Sequence, residues 1–272
     1  MPTSVTVEQF RQFHSEGHLA LRGLVAADEV AELLDHMDEL GQDFLRVHML
    51  HRQLEIHERF MLHPRVVDAV AGLIGPDVLA LQTMLFRKGP GDPGQGYHQD
   101  SFHIITRPDT LIGAWIALDR ADEENGCVWV TAGSQAEPVY PDADVTAGHG
   151  GDTQLADIPS IAGADDPDER VNELAAVAAR YRGREVASVL DPGDVVFFGG
   201  RVLHRSHANR SATRSRRAFV THYCSARSLV PWDDEPLGEG EMGNGRHVLA
   251  RGDTHLPYAL PRWATASSAS RR

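Results

Sequence analysis

Two His-x-Asp triplets stand in this chain of 272 residues, His36-Met37-Asp38 and His98-Gln99-Asp100, and each offers an imidazole and a carboxylate to a cation. With 15 histidines in the sequence, such a triplet also arises by chance. The surrounding pattern separates the two. From Asp28 to Gly41 the apolar residues Val30, Leu33, Leu34, Met37 and Leu40 recur at helical spacing, with Asp28 as the expected N-cap. On a helix, residues two apart diverge by roughly 200°, so His36 and Asp38 cannot close on one ion. His98 and Asp100 fall in a stretch that reads as extended, where residues two apart share a face. They make two corners of a metal site.

The third corner must come from another strand. His204 is the best candidate, because the apolar run Val195-Val196-Phe197-Phe198 precedes it. His103, His207 and His222 are rivals that read more simply as neighbours in strands or loops. Two histidines and one carboxylate on one face of an octahedron suit iron(II), with three positions left for co-substrate and oxygen. The same donors suit a hydrolytic zinc ion. Residue types and spacing leave both open.

The elements that must position these residues follow from periodicity. Besides the Asp28–Gly41 helix, a second begins near Pro64, in a first-turn position, and ends at Gly75-Pro76. The first 76 residues or so are therefore mainly helical. Short apolar runs with turn punctuation follow: Val78–Phe86, Gly96–Phe102, Leu111–Leu118, Cys127–Val130, Val186–Leu190, Val195–Phe198 and Ala218–Cys224. Asn125-Gly126 carries a hairpin-turn signal, and Asp191-Pro192-Gly193-Asp194 is a turn before the next strand. Such strands predict a mainly β sandwich or barrel, of which the jelly roll is the common double-sheet form. The whole chain, 1–272, is read as one domain.

Between about 135 and 185 the strand pattern lapses, apart from a helical piece near Val171–Tyr181. A loop of this length is expected to be a functional lid or disordered, and it is read as a lid insertion. From Glu137 to Glu173 it holds ten acidic residues and one basic residue, Arg170, and so carries most of the net charge of −13. Asp142, Asp144, Asp152, Asp165 and Asp166 either steer a cationic substrate or only keep a surface loop solvated. The C-terminal Trp232, Tyr258 and Trp263 either cover the pocket or serve an interface.

Composition excludes several classes. No Lys/Arg cluster covers a predicted face, which argues against a nucleic-acid partner. At 42% apolar and 24% charged, with no apolar run long enough to cross a bilayer, the chain reads as globular and without a membrane span. Cys127 and Cys224 are far apart and read as two reduced, buried thiols. Neither the opening MPTSVTVEQF nor the closing SASRR carries a targeting pattern, so a cytoplasmic location is the expectation.

Several ordered motifs then combine. Phe13 to Gly23 reads as a Phe-containing helix, a Gly turn and a short strand. Gln82-Thr83-Met84-Leu85-Phe86-Arg87-Lys88-Gly89-Pro90 precedes the His98 triplet; Ala114-Trp115-Ile116-Ala117-Leu118-Asp119 and Glu124-Asn125-Gly126-Cys127 follow it. A distal block comprises Gly193-Asp194-Val195-Val196-Phe197-Phe198, His204-Arg205-Ser206, Asn209 and Arg216-Arg217-Ala218. This ordered set resembles the phytanoyl-CoA dioxygenase family from about Phe10 to Ser225.

The resemblance implies a double-stranded β-helix (jelly-roll) core with N-terminal helices and a long lid insertion. It implies Fe(II) held by His98, Asp100 and His204, with 2-oxoglutarate and O2 as co-substrates. Arg216, with Ser206 beside it, would take the distal carboxylate of 2-oxoglutarate; Met84, Trp115 and Gln99 would complete the co-substrate contacts. Without the resemblance, Met84 and Trp115 read as core. The spacing from His204 to Arg216 is one residue longer than the family pattern. Arg214, on the same strand face, and Arg217, on the other, stay open as alternatives. A second departure is Ala132-Gly133-Ser134-Gln135, where the family has Pro-Gly-Ser or Pro-Gly-Thr and then His.

The implied activity is hydroxylation of a small-molecule substrate with release of succinate and CO2. Asp100 speaks against halogenation, since related halogenases lack the carboxylate. The acidic insertion fits a small polar or amine-bearing metabolite or natural product better than a polyanionic thioester. A zinc-dependent hydrolase and a non-catalytic metal-binding homologue are the alternatives.

Overall fold

The structure, a computed structural model, describes residues 5–41, 46–140, 173–230, 247–255 and 260–261. The N-terminal part carries four helices: α1 (Val7–Glu16), α2 (Ala27–Glu39), α3 (Glu55–Met61) and α4 (Pro64–Ile74). Helix α1 starts on a reciprocal capping box. Thr6 Oγ1 accepts from Gln9 N at 3.2 Å, and Gln9 Oε1 accepts from Thr6 N at 2.9 Å. Helix α2 starts two residues before the expected cap. Ala26 is the N-cap, and its N–H is taken by the Glu29 carboxylate at 2.9 Å, so Asp28 sits inside the first turn. Helix α4 begins at Pro64 and stops at Gly75, as the sequence predicts.

Among the described residues twelve strands follow or interleave: β1 (His18–Leu21), β2 (Arg46–His48), β3 (Val78–Lys88), β4 (Gln95–His98), β5 (Ile112–Ala117), β6 (Val128–Thr131), β7 (Glu185–Ala187), β8 (Val195–Gly199), β9 (His204–Ser206), β10 (Arg216–Ser225), β11 (Val248–Arg251) and β12 (Leu260–Pro261). They form two sheets. The larger runs β1-β8-β5-β10-β3-β11-β12, with β2 also on β3, and the smaller runs β4-β9-β6-β7. All pairs are antiparallel except β11 with β12.

Alternation along β10 shows how the layers divide. Phe219 and Tyr223 join the apolar cluster that the helices cover, together with Leu33, Met37, Phe60, Val70 and Phe197. Tyr223 donates its hydroxyl to Met61 O at 2.8 Å, tying the sheet to α3. Ala218 and Val220 point the other way, into a second cluster with Met84, Trp115, Val128, Val196 and Phe198 between the two sheets. This inter-sheet layer holds the pocket described below.

Three connections differ from expectation. The strand expected over Gly96–Phe102 ends at His98, and Asp100–Phe102 winds into a single 3₁₀ turn. There the backbone bonds locally, and Ser101 N reaches Gly200 O at 2.9 Å. Asn125-Gly126 is a turn but not a hairpin: β5 lies in the large sheet and β6 in the small one, so the segment crosses between sheets. Buried Asn125 staples this crossover, accepting from Asp122 N and donating to Arg120 O and Ser215 O. The Val186–Leu190 run is shorter than expected, with pairing confined to Glu185–Ala187 and one bridge from Leu190 to Ala121.

The helical piece near Val171–Tyr181 is present as α5 (Glu173–Ala178) followed by a 3₁₀ turn to Tyr181. The acidic stretch of the expected lid, residues 141–172, and Trp232, Tyr258 and Trp263 lie outside the described residues. Among the described residues, no helix is long and apolar enough to cross a membrane.

Candidate active site

His98 closes β4 directly opposite His204, the first residue of β9, and the turn after His98 brings Asp100 back to both. All three are buried. Asp100 Oδ1 lies 3.8 Å from His98 Nε2 and 3.7 Å from His204 Nε2. These separations are too long for hydrogen bonds and agree with one ion bound at about 2.0–2.2 Å from each donor. The three donor atoms lie within 4.8 Å of one another.

The imidazoles are oriented from behind. His98 donates Nδ1–H to Gly96 O at 2.9 Å, and His204 donates Nδ1–H to Val202 O at 3.0 Å. Both rings therefore keep an Nε2 lone pair for a metal. Burial, then the neighbouring His204, pushes His98 down to about 3, so its ring is neutral at physiological pH. Burial alone would raise the Asp100 carboxyl, yet His204, His222 and His98 around it hold it far below the usual carboxylate range. One carboxylate and two imidazole nitrogens are a donor set for a divalent cation such as iron(II) or zinc(II). A Gln95 side-chain N–H also reaches His98 Nε2, at 3.2 Å, where an ion would displace it.

His222, a rival ligand by sequence, instead backs Asp100. Its Nε2 lies 3.0 Å from Asp100 Oδ2, and its Nδ1 lies 3.0 Å from Gln82 Nε2, which also donates to the Met84 sulfur. An amide donor at Nδ1 puts the histidine proton on Nε2. His222 therefore donates to Oδ2 and leaves Oδ1 to the metal position. The period of two puts Arg216, Ala218, Val220 and His222 on one face of β10, which groups His222 with Arg216 but does not name Asp100 as its partner.

The pocket between the sheets has an empty volume of about 490 Å³ counting its open mouth. His98, Asp100, His204 and His222 line it, together with Met84, Trp115, Ser206 and Arg216; Phe86, Val128, Phe198 and Val220 supply apolar wall. Gln95 and Arg205 add polar groups. Arg216 is 4% exposed, its guanidinium stands over the Trp115 ring at 5.3 Å, and its Nε has no hydrogen-bond partner. Burial lowers it only to about 10, so it stays charged near neutrality. A buried guanidinium without a carboxylate among the described residues is a site for an anionic ligand.

The neighbouring arginines are already committed. Arg214 reaches Asp122 at 2.8 and 3.0 Å and Glu124 at 2.6 Å, and Arg217 holds Asp119 through Nε and Nη2, each at 2.9 Å. Ser206 lines the pocket and accepts from Lys88 Nζ at 2.8 Å. Gln99 is not brought into the pocket. Adjacent extended residues face opposite sides, so Gln99 turns outward from His98 and Asp100. Its amide donates to Pro138 O and Arg201 O and accepts from Tyr140 N. It braces the segment leading to the insertion, which corrects its expected contact with the co-substrate. His207 turns its ring edge to Trp129, and His103 follows the Asp100 turn; neither joins the donor set.

Two facing sheets with a buried His-Asp-His donor set between them define a double-stranded β-helix fold with a candidate metal centre. The chain belongs to the phytanoyl-CoA dioxygenase (PhyH) family, whose sequence model matches residues 13–218. The peroxisomal phytanoyl-CoA dioxygenase of Rattus norvegicus is 31% identical over 174 residues, covering 62% of this chain and 46% of that protein. The chain thus spans about half the length of the curated relatives it first matches. In fold it is similar to the non-heme alpha-ketoglutarate-dependent epimerase SnoN from nogalamycin biosynthesis, with TM-score 0.63, 20% identity and 93% of each chain covered. CytC3, solved with Fe(II) and alpha-ketoglutarate, gives TM-score 0.64 at 17% identity over 96% of this chain and 94% of that one.

Proposed function

We propose that this protein is an Fe(II)- and 2-oxoglutarate-dependent dioxygenase that hydroxylates a small polar metabolite, releasing succinate and CO2. One observation carries the reading. The pocket that holds His98, Asp100 and His204 also holds Arg216, a buried guanidinium with no anion of its own. Zinc-bound water does not itself require such a cation, whereas a dicarboxylate co-substrate that chelates a metal at one end needs one at the other.

In this reading His98, Asp100 and His204 hold the iron, and Arg216 with Ser206 takes the distal carboxylate. Iron and 2-oxoglutarate, with O2, supply the oxidising chemistry when bound. The residues of the chain bind, orient and exclude water: Trp115 and Met84 wall the co-substrate, and His222 keeps Asp100 turned to the metal through one oxygen. Gln95 and Arg205, polar groups in the same pocket, favour a substrate with hydrogen-bonding groups of its own. The acidic stretch Glu137–Glu173 of the sequence favours one bearing an amine.

The test is succinate formation by metal-free protein given iron(II), ascorbate and 2-oxoglutarate in air, with His98→Ala alongside. Slow, iron-dependent succinate that is lost in the variant is the expected result. Under nitrogen, the wild type should develop a visible charge-transfer band with iron and 2-oxoglutarate. Neither succinate nor band would overturn the assignment.

A further inference from the structure

Arg216 faces a buried lysine. It pairs directly across the β10–β3 ladder with Lys88, and the two side chains belong to residues only 4% and 6% exposed. Like charges opposite one another in an antiparallel pair are destabilising, and burial adds to the cost. No carboxylate pairs with either among the described residues. Lys88 Nζ donates to two neutral acceptors, Ser206 Oγ at 2.8 Å and His207 O at 2.7 Å. The nearby Asp92 carboxylate is spent on Gly89 N at 2.6 Å. Gly126 makes room for the lysine: a Cβ there would stand 3.1 Å from Lys88 Cδ and 3.3 Å from Nζ.

Resting on the co-substrate reading above, we propose that Lys88 is a positioning residue of the carboxylate site: it turns the Ser206 hydroxyl toward the co-substrate and takes up a proton as the distal carboxylate docks beside Arg216. The lysine occupies a lone pair of Ser206 Oγ, so the hydroxyl proton is left to donate into the pocket that Ser206 lines. The groups facing Lys88 set its charge. Burial, then Arg216 on β10, push it down to about 6, while Asp92 after β3 and Cys127 before β6 oppose this weakly. Cys127 is itself pushed up to about 12 by burial and is uncharged. Near pH 7.5 the free pocket therefore holds mostly neutral Lys88. A carboxylate arriving beside Arg216 cancels the repulsion and restores the ammonium. Carboxylate and proton bind together, and affinity falls as pH rises above about 6, by at most about tenfold per pH unit for one proton.

The experiment is calorimetric titration of 2-oxoglutarate into Mn(II)-loaded protein at pH 7.5, in buffers with different heats of ionisation. The dependence of the observed heat on buffer counts the protons taken up. Wild type should take up a large fraction of one proton per 2-oxoglutarate. It should take up none with 2-oxobutyrate, which can chelate the metal but lacks the distal carboxylate. Lys88→Met should bind 2-oxoglutarate at least several-fold more weakly at pH 6, without uptake and with a flat pH profile. Wild-type binding without proton uptake overturns the inference whether or not the variant folds, and so does an unchanged pH slope in Lys88→Met. Failure of wild type to bind 2-oxoglutarate at all would instead overturn the co-substrate assignment.

Discussion

Asp100 has two carboxylate oxygens, and the protein treats them differently. Oδ1 faces the Nε2 atoms of His98 and His204, while Oδ2 is held by His222 at 3.0 Å, itself held by Gln82. Partners behind a ligand typically matter 10–100-fold in metal affinity. His222→Ala should therefore weaken Mn(II) or Fe(II) binding by about 10–100-fold in a chelator competition, with the fold intact by circular dichroism. Unchanged metal affinity would remove His222 from this role. The sequence made His98 and Asp100 legible through local spacing alone, and His204 through the strand before it. His222 was not legible as Asp100's partner, because 122 positions separate the two. The choice among Arg214, Arg216 and Arg217 also needed three dimensions. Only the positions of Asp122, Glu124 and Asp119 show which cations are spent.

Strands and turns show a similar division. Runs such as Val195–Phe198 and Ala218–Cys224 were readable because alternation and turn residues are local properties. Which sheet each strand joins was not, and the Asn125-Gly126 turn shows why. Hairpin and crossover begin with the same backbone, and only the next strand's partner tells them apart. Gly126 has φ of +79°, and a Cβ there would stand 2.5 Å from His207 O. Gly126→Ala must therefore adopt a left-handed backbone and push against a carbonyl. The variant should lose about 2 kcal/mol or more, lowering the thermal midpoint by about 5 °C or more. Differential scanning fluorimetry checks this, and an unchanged midpoint would show that the crossover relaxes.

Five histidines of the described residues are driven toward neutrality in the fold, chiefly by burial: His18 is lowered, His48 and His57 fall to about 4, and His98 and His247 to about 3. Each has a folded value below the unfolded value of 6.5, so between these limits the unfolded chain binds more protons than the native one. Stability is then full above pH 6.5 and is lost as pH falls toward 4. Asp100, held low, acts in the same direction but only below the ordinary carboxylate range. Urea midpoints of the metal-free protein should fall steeply between pH 6.5 and 4.5, before most carboxylates titrate. A flat profile over that interval would show that these rings are solvated in solution. A bound divalent ion should oppose the loss, since it binds the native state and competes with protons for His98 and His204.

The two faces of β10 belong to different concerns. Phe219 and Tyr223 press on the helices, whereas Arg216, Val220 and His222 look into the pocket. A change at position 220 alters the shape offered to a guest without removing any contact that anchors α3 or α4. Inheritance can thus edit what this chain accepts almost independently of whether it folds. A lineage built on such a strand can try new guests one side chain at a time while its scaffold stays as it was.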